Sequence, residues 1–575
     1  MALEIRLLGR PAIVDGCGVR QAVRGLQPWA LLARILLSPR DVSRREIAAE
    51  LFPESVDPLG SVRWCLAALR RALGSAEALR GDPIKHNLPA ETQVDIHRLE
   101  KGEFDSEQVG DLLEGVEPKC SPEFATWLLV ERERIASLID ARIRQETMRA
   151  VAVGHYDQAI RLAELGVRRL PFDERAHILL VKSLTLAGSY DAALKHVEAT
   201  EVTFVEELGE KPSGALRSAA RRTISAPPGG VSPRAIVISL LESGRAAHAA
   251  GAADAGVDCL RRAVADAEKC EDPRLHAQTL FELGSALVHS VRGYDDEGAV
   301  LLQQSVQLAQ RCGDQKIAVG GLQELGYIEA LAGRRPAAEA HLSRALELAE
   351  DPGNLAGVHA VTGFNFVDWG KPAEGLKHYD LSLDYARSNQ NPRREAWSLG
   401  LGAWGHLAAG CPEIAVEWTT ECLAIIDDLR WVAFRPWPQA VRAEAKLRMQ
   451  TNSEALHGEL EEAFALSCQL GDPCWESATA RVSGLAYAAS ESFETALEWF
   501  AQARERCVRE TDAYAALLVS ILADSAECHL KVGNAVEADS LVRETLSLAA
   551  RAHMDPHVRW AVDYMGRLGG SRSSE

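Results

Sequence analysis

A chain of 575 residues, 47% hydrophobic and 25% charged, has the composition of an ordinary globular protein, with length for three or four domains or for a repeat array beside a smaller head. No apolar run approaches the ~18 residues of a membrane span, and the opening MALEIRLLGRPAIV lacks the charged lead and apolar core of a signal peptide, so a soluble cytoplasmic protein with no membrane partner is expected. The formal charge of −19 is split into +2 over residues 1–100 and −21 over the rest, a division that suits a head meeting a polyanion and a body that does not, although ordinary surface variation would produce it too.

In chain order, LEIRLLGRPAIV alternates as a strand does, and the D-G pair at 15–16 turns the chain into a second short strand. PWALLARILLS predicts a helix with Pro28 in its first turn. SRREIAAELF predicts another, with Ser43 and Glu46 as a capping box and Ile47, Ala48 and Leu51 as the apolar face. Asp57 as N-cap, Pro58 behind it and Gly74 as the stop bound a third helix over 58–73. IKHNL and TQVDI, separated by Pro-Ala-Glu, read as a small hairpin.

The third helix contains SVRWCLAALRRALG, with three arginines and a tryptophan. At about 100° per residue, Val62, Leu66, Leu69 and Leu73 share one side. Arg63 and Arg70 flank that stripe, and Arg71, Trp64 and Ala67 lie opposite it. Strands, three helices and a hairpin are the layout of a winged helix. Such a fold buries the apolar side of its recognition helix and offers arginines to phosphates and guanine edges. Arg63, Trp64, Arg70 and Arg71 fit that need, and Ala67 permits close approach. Arg44 and Arg45 could grip phosphates together with the N-terminus of the preceding helix, and Lys85 and His86 lie where a wing would touch the backbone. A solvated arginine face on an ordinary helix would look the same.

LQPWALLARILLSPRDVSRREIAAELFPES followed by SVRWCLAALRRALG resembles the winged-helix domain of bacterial SARP-type transcription regulators, whose DNA-binding fold is of the OmpR type. SPEFATWLLVERERIASLI, GHYDQAIRLAELGVRRLPFDERAHILLVKSLTLAGSYDAALKHVEA and FVEELGEKPSGALRSAA resemble the helical bacterial transcriptional activation domain that follows in that family. The resemblance covers about residues 3–223 and implies promoter DNA and RNA polymerase as partners, with activation as the outcome. No receiver domain is expected ahead of the head, and its basic residues are fewer than in many relatives.

After SAPPGGVSP at 225–233, a small residue recurs at offsets 0, +7, +12 and +19, as at Gly326, Gly333, Ala338 and Ala345. The ladder recurs at Gly244, Gly251, Gly256 and Ala263 and at Ala403, Gly410, Ala415 and Cys422, with partial versions at Gly363, Gly484 and Ala526. Paired helices that meet at small residues around a Gly turn predict a tetratricopeptide-like solenoid of about eight units, longer than the usual ~34 residues. Such an array curves into a groove for a protein, peptide or small-molecule effector; a stack that only spaces domains or forms a homodimer is the alternative. Trp369, Trp397, Trp404, Trp431 and Trp437 gather in the middle units, as groove lining or as core.

The expected fold is mainly α: a small α/β winged-helix head over 1–98, an all-α activation domain over 99–224, a linker at 225–234, an α-solenoid over 235–567 and a disordered tail from 568 to 575. No phosphate-cradling loop, H-E-x-x-H or G-x-S-x-G occurs, so neither an enzyme nor a cofactor is expected. His553 and His557 are four apart in HMDPH, but Pro556 interrupts a shared helix, and no metal site is expected. Twelve cysteines without a C-x-x-C pair read as reduced, mostly core residues. The function expected is a DNA-binding transcription regulator, nucleoid-associated when bound, whose repeats receive a controlling partner; the alternative is an interaction scaffold with a degenerate winged helix.

Overall fold

Four short strands open the head: β1 (Glu4–Arg6), β2 (Ala12–Val14), β3 (Arg20–Gln21) and, after three helices, β4 (Gln93–Val94). The computed structural model describes residues 3–89, 91–106, 109–220, 232–249, 253–289, 292–450 and 454–572. The sheet order is β3-β2-β1-β4, antiparallel except for the parallel β1–β4 pair. LEIRLLGRPAIV is therefore two strands, because Gly9 at φ 71° and the following Arg-Pro turn it back on itself.

The helices α1 (Gln27–Leu36), α2 (Arg44–Leu51) and α3 (Pro58–Ala72) lie where the patterns predict. Pro28 stands in the first turn of α1. Both hydrogen bonds of the Ser43–Glu46 box cap α2, and Asp57 accepts from the Gly60 amide at the start of α3. Leu31, Leu32, Ile47, Val62, Leu66 and Leu69 are fully buried with Ile5 and Ile13, so the apolar back of α3 is core. The expected hairpin does not form. Ile84 instead makes single bridges to Val42 and Gly81, and Gln93–Val94 joins β1 in parallel. Asp95 accounts for this: its carboxylate accepts the Leu7 and Leu8 amides at 2.7 and 2.8 Å and the Ile96 amide that opens α4 (Asp95–Glu100).

The chain divides into two compact units, Met1–Arg142 and Ile143–Glu575, with the border inside the 31-residue helix α5 (Pro122–Ala152). In the second unit come α6 (Tyr156–Arg169), α7 (Glu174–Leu186), α8 (Tyr190–Leu208) and α9 (Gly214–Ala219). Ion pairs hold them to the repeats: Arg144 to Asp296 at 2.6 Å and to Glu329 at 3.5 Å, and Lys182 to Glu297 at 3.3 Å. Burial works against the Glu329 carboxylate, but Arg334 and Arg144 outweigh it and hold its pKa at about 2.

From Pro233 onward the described residues form eight helical hairpins and a closing helix, Asp555–Arg572. The small-residue ladder has a steric cause. A Cβ on Gly326 would stand 2.6 Å from Leu342 of the paired helix, and Gly333 turns the hairpin at φ 79°. The array also meets itself: Gly333 packs on Ala515 and Ala552, Gly370 on Pro556, and the Tyr514 hydroxyl donates to Asp368 at 2.8 Å. The last hairpin and the closing helix thus pack back on the third and fourth hairpins. The linker expected at 225–234 lies outside the described residues up to 231, as do Gly251 and residues 573–575. The closing helix reaches Arg572, five residues into the expected tail. Among the described residues no helix is long and apolar enough to cross a membrane.

Candidate nucleic-acid interface

With Val62, Leu66 and Leu69 inward, α3 presents Arg63, Trp64, Ala67 and Arg71 to solvent, and Trp64 is 54% exposed at the edge of a shallow hollow shared with Phe52 and Val56. Arg63 makes one ion pair, with Asp57 at 3.3 Å, in which both partners are mostly exposed. Such a pair contributes little, so exchanging Asp57 for another anion costs little. Among the described residues Arg71 makes only a 3.4 Å contact to the Ala67 carbonyl one turn back.

Arg70 has a different place. Its Nε and Nη2 donate to the carbonyls of Ala78 and Leu79, both at 2.8 Å, which fastens the loop after α3 onto the helix. Burial and then the neighbouring Arg44 and Arg80 pull its pKa below the ordinary value. Arg44 is similarly engaged, its Nε on the Gly81 carbonyl at 3.0 Å and its amide on Asp82 at 2.9 Å. Asp82 and the Ser43 box therefore occupy the N-terminus of α2, while Arg45 stays exposed. Glu46 in that box is held at about 2, first by Arg40 and then by Ser43. Lys85 and His86 are exposed on the loop that replaces the expected hairpin.

The structure thus brings Arg44, Arg70 and Arg80 into one electrostatic neighbourhood and leaves Arg45, Arg63, Arg71 and Lys85 exposed beyond it. Arg80 escaped the sequence reading because it lies past the Gly74 stop; the only signal was its place at the end of AEALR. Of the five tryptophans, Trp437 is buried and Trp397 and Trp431 border a cavity. His553 stands in the turn at φ 55° and His557 in the first turn of the last helix.

Comparison with known proteins bears on this arrangement at one segment. Residues 108–223 match the family model of the bacterial transcriptional activator domain. No curated protein matches the chain in sequence. Among solved structures, a Rap protein complexed with competence and sporulation factor is 13% identical with a TM-score of 0.40, covering 58% of this chain and 99% of its own. NprR in complex with its cognate peptide NprX is 12% identical with a TM-score of 0.39, over 50% and 85%. Mycobacterium tuberculosis EmbR in complex with a low-affinity phosphopeptide is 18% identical with a TM-score of 0.29, over 42% of this chain and 71% of its own. By the match over residues 108–223, this chain is one that carries a bacterial transcriptional activator domain.

Proposed function

We propose that the protein is a SARP-type transcription activator that grips promoter DNA through its head, couples to RNA polymerase through residues 108–223 and is controlled by an effector at its repeats. The observation that carries this is the solvent face of α3. A helix that buries Val62, Leu66 and Leu69 shows Arg63, Trp64, Ala67 and Arg71 outward, in the unit that leads into the activator-domain match. In a major groove the arginines meet phosphates and guanine edges, Ala67 lets the backbone approach, and Trp64 packs on sugar or base edges. Arg70 and Arg44 brace the loop and the start of α2 and act on DNA by position.

Genome-wide capture of DNA by the purified protein at two salt concentrations tests this, with an Arg63→Ala/Arg71→Ala variant alongside. Discrete promoter-proximal sites, weakened by salt and absent in the variant, are expected. A folded wild type that enriches nothing, alone or with cell extract, would leave the interaction scaffold as the better reading; the engagement of Arg44 and Arg70 within the head speaks for that second reading.

A further inference from the structure

Among the described residues, the repeats hold a cavity whose lining is both charged and aromatic. It measures about 220 Å³ and lies among the helices Pro273–His289, Gln315–Leu331, Pro352–Asp368 and Pro392–Ala408, with Trp431 at its edge. Two adjacent arginines face it from the first turn of Pro392–Ala408, the positive end of a helix, where cations are normally disfavoured. The acid of that turn, Glu395, is bound to Arg387. Arg393 lies over the Trp431 ring, 4.4 Å from its centroid. Among the described residues the half-buried Arg394 guanidinium has no hydrogen bond and no ion pair at contact distance; burial disfavours its charge, and the nearby Glu324 carboxylate offsets that only in part.

Glu324 lines the same cavity, but its charge is engaged: His289 Nε2 stands 2.6 Å from one oxygen, and Gln323 donates to the other at 3.4 Å. One further feature has no internal explanation. Among the described residues the buried Trp397 indole N–H has no acceptor, which is an unfavourable state. Gly357 lies off the small-residue ladder, yet a Cβ there would collide with Gln323 at 2.1 Å and touch the Arg394 guanidinium at 3.5 Å, so its smallness makes room for these two side chains. Tyr327, Trp397 and Trp431 line the cavity around them.

We propose that this cavity binds a small aromatic carboxylic acid in its ionised form, with the carboxylate on Arg394 and the ring against Tyr327, Trp397 and Trp431. A planar carboxylate matches the guanidinium fork in a bidentate pair. Glu324 nearby makes a monoanion preferable to a doubly charged phosphate. The volume lies below the ~300 Å³ at which drug-sized pockets begin, which suits a ring with one acid group. This deepens the proposed reading by giving the effector a chemical class, and it rests on that reading only for its regulatory meaning.

The test is titration of the purified full chain, without DNA, with benzoate, 2-naphthoate and indole-3-acetate, followed by calorimetry and tryptophan fluorescence. Uncharged 2-naphthalenemethanol is the control. Saturable one-to-one binding of at least one acid is expected, with the alcohol and an Arg394→Met variant each about tenfold weaker. Trp397→Phe, which keeps a ring but removes the N–H, should lose a few-fold. If Arg394→Met does not fold, Arg394→Lys keeps the charge without the fork and should show the same direction of loss. Equal affinity for acid and alcohol, unchanged binding by the Arg394 variant, or no saturation by any of the acids at millimolar concentration would overturn the proposal. Acid binding by a protein that captures no DNA would sink the regulator reading and leave this site standing; DNA capture without acid binding would do the reverse.

Discussion

The head and the repeats use arginine in opposite ways. On α3 the arginines Arg63 and Arg71 stand in water with weak partners or none of substance. In the repeats Arg335 is fully buried and Arg481 is 5% exposed. Arg481 reaches Glu444 at 2.9 Å and Asp524 at 2.6 Å. A buried guanidinium has given up its hydration and depends on its carboxylates, so it is committed to the fold. An exposed one keeps its hydration and can exchange a weak partner for a phosphate. The same residue type is thus structural at Arg481 and available at Arg63 and Arg71, and the difference is measurable.

The largest effect should come from breaking a buried pair. Arg481→Ala leaves Asp524 without its partner beside Glu444, which keeps only Arg448, and a loss of about 3 kcal/mol is expected in denaturant unfolding. A loss below about 1 kcal/mol would show that water reaches this network and that the contrast with α3 is overstated. Next is the back of α3: Leu66→Ala removes a fully buried side chain and should cost about 3 kcal/mol through the cavity it leaves. An unchanged melting temperature would mean that α3 is rotated and that its arginine face points elsewhere. Smaller for the fold and larger for the proposed function is Arg63→Ala with Arg71→Ala. Stability should hold within about 0.5 kcal/mol. DNA affinity should fall by roughly 1–3 kcal/mol for each base edge these arginines read, or the salt slope by about 0.9 for each phosphate they neutralise. A change in stability without a change in binding would turn these residues into structural ones, like Arg481.

What the sequence made legible follows the same division. Ser43 and Glu46, Asp57 and Gly74 marked helix ends because capping is local chemistry within four residues. The leucine stripe of α3 and the small residues of the repeats were legible because their period is that of the helix. The missing hairpin was not, since Asp95 decides it through the amides of Leu7 and Leu8, nearly ninety residues away. Nor was the engagement of Arg70 and Arg44, which depends on where the loop at 78–82 returns. An arginine on a helix face can be placed by periodicity, but whether its guanidinium is free depends on what the rest of the chain brings to it. For the same reason the gathering of Arg393 and Arg394 around one cavity with tryptophans and Glu324 appears only once four helices stand together.

The smallest effect concerns protons rather than side-chain removal. In the hairpin of Pro352–Asp368 and Pro372–Ser388, His359 Nδ1 lies 2.9 Å from His378 Nδ1, and its ring stacks on Tyr385. One nitrogen must donate and the other accept, so the two rings cannot both be charged there. Burial, and then His378, lower the pKa of His359 from 6.5 to about 4. The unfolded chain therefore takes up a proton below pH 6.5 that the folded chain refuses until about pH 4. The neutral pair's contribution is complete above 6.5 and is lost as the pH falls through that window. His359→Phe keeps a ring and removes this proton uptake. The variant should be less stable than wild type at pH 7, and the gap should narrow by on the order of 1 kcal/mol at pH 4.5. A gap that stays constant would mean that His359 is solvated in the fold and that burial disciplines the arginines of the repeats but not their histidines.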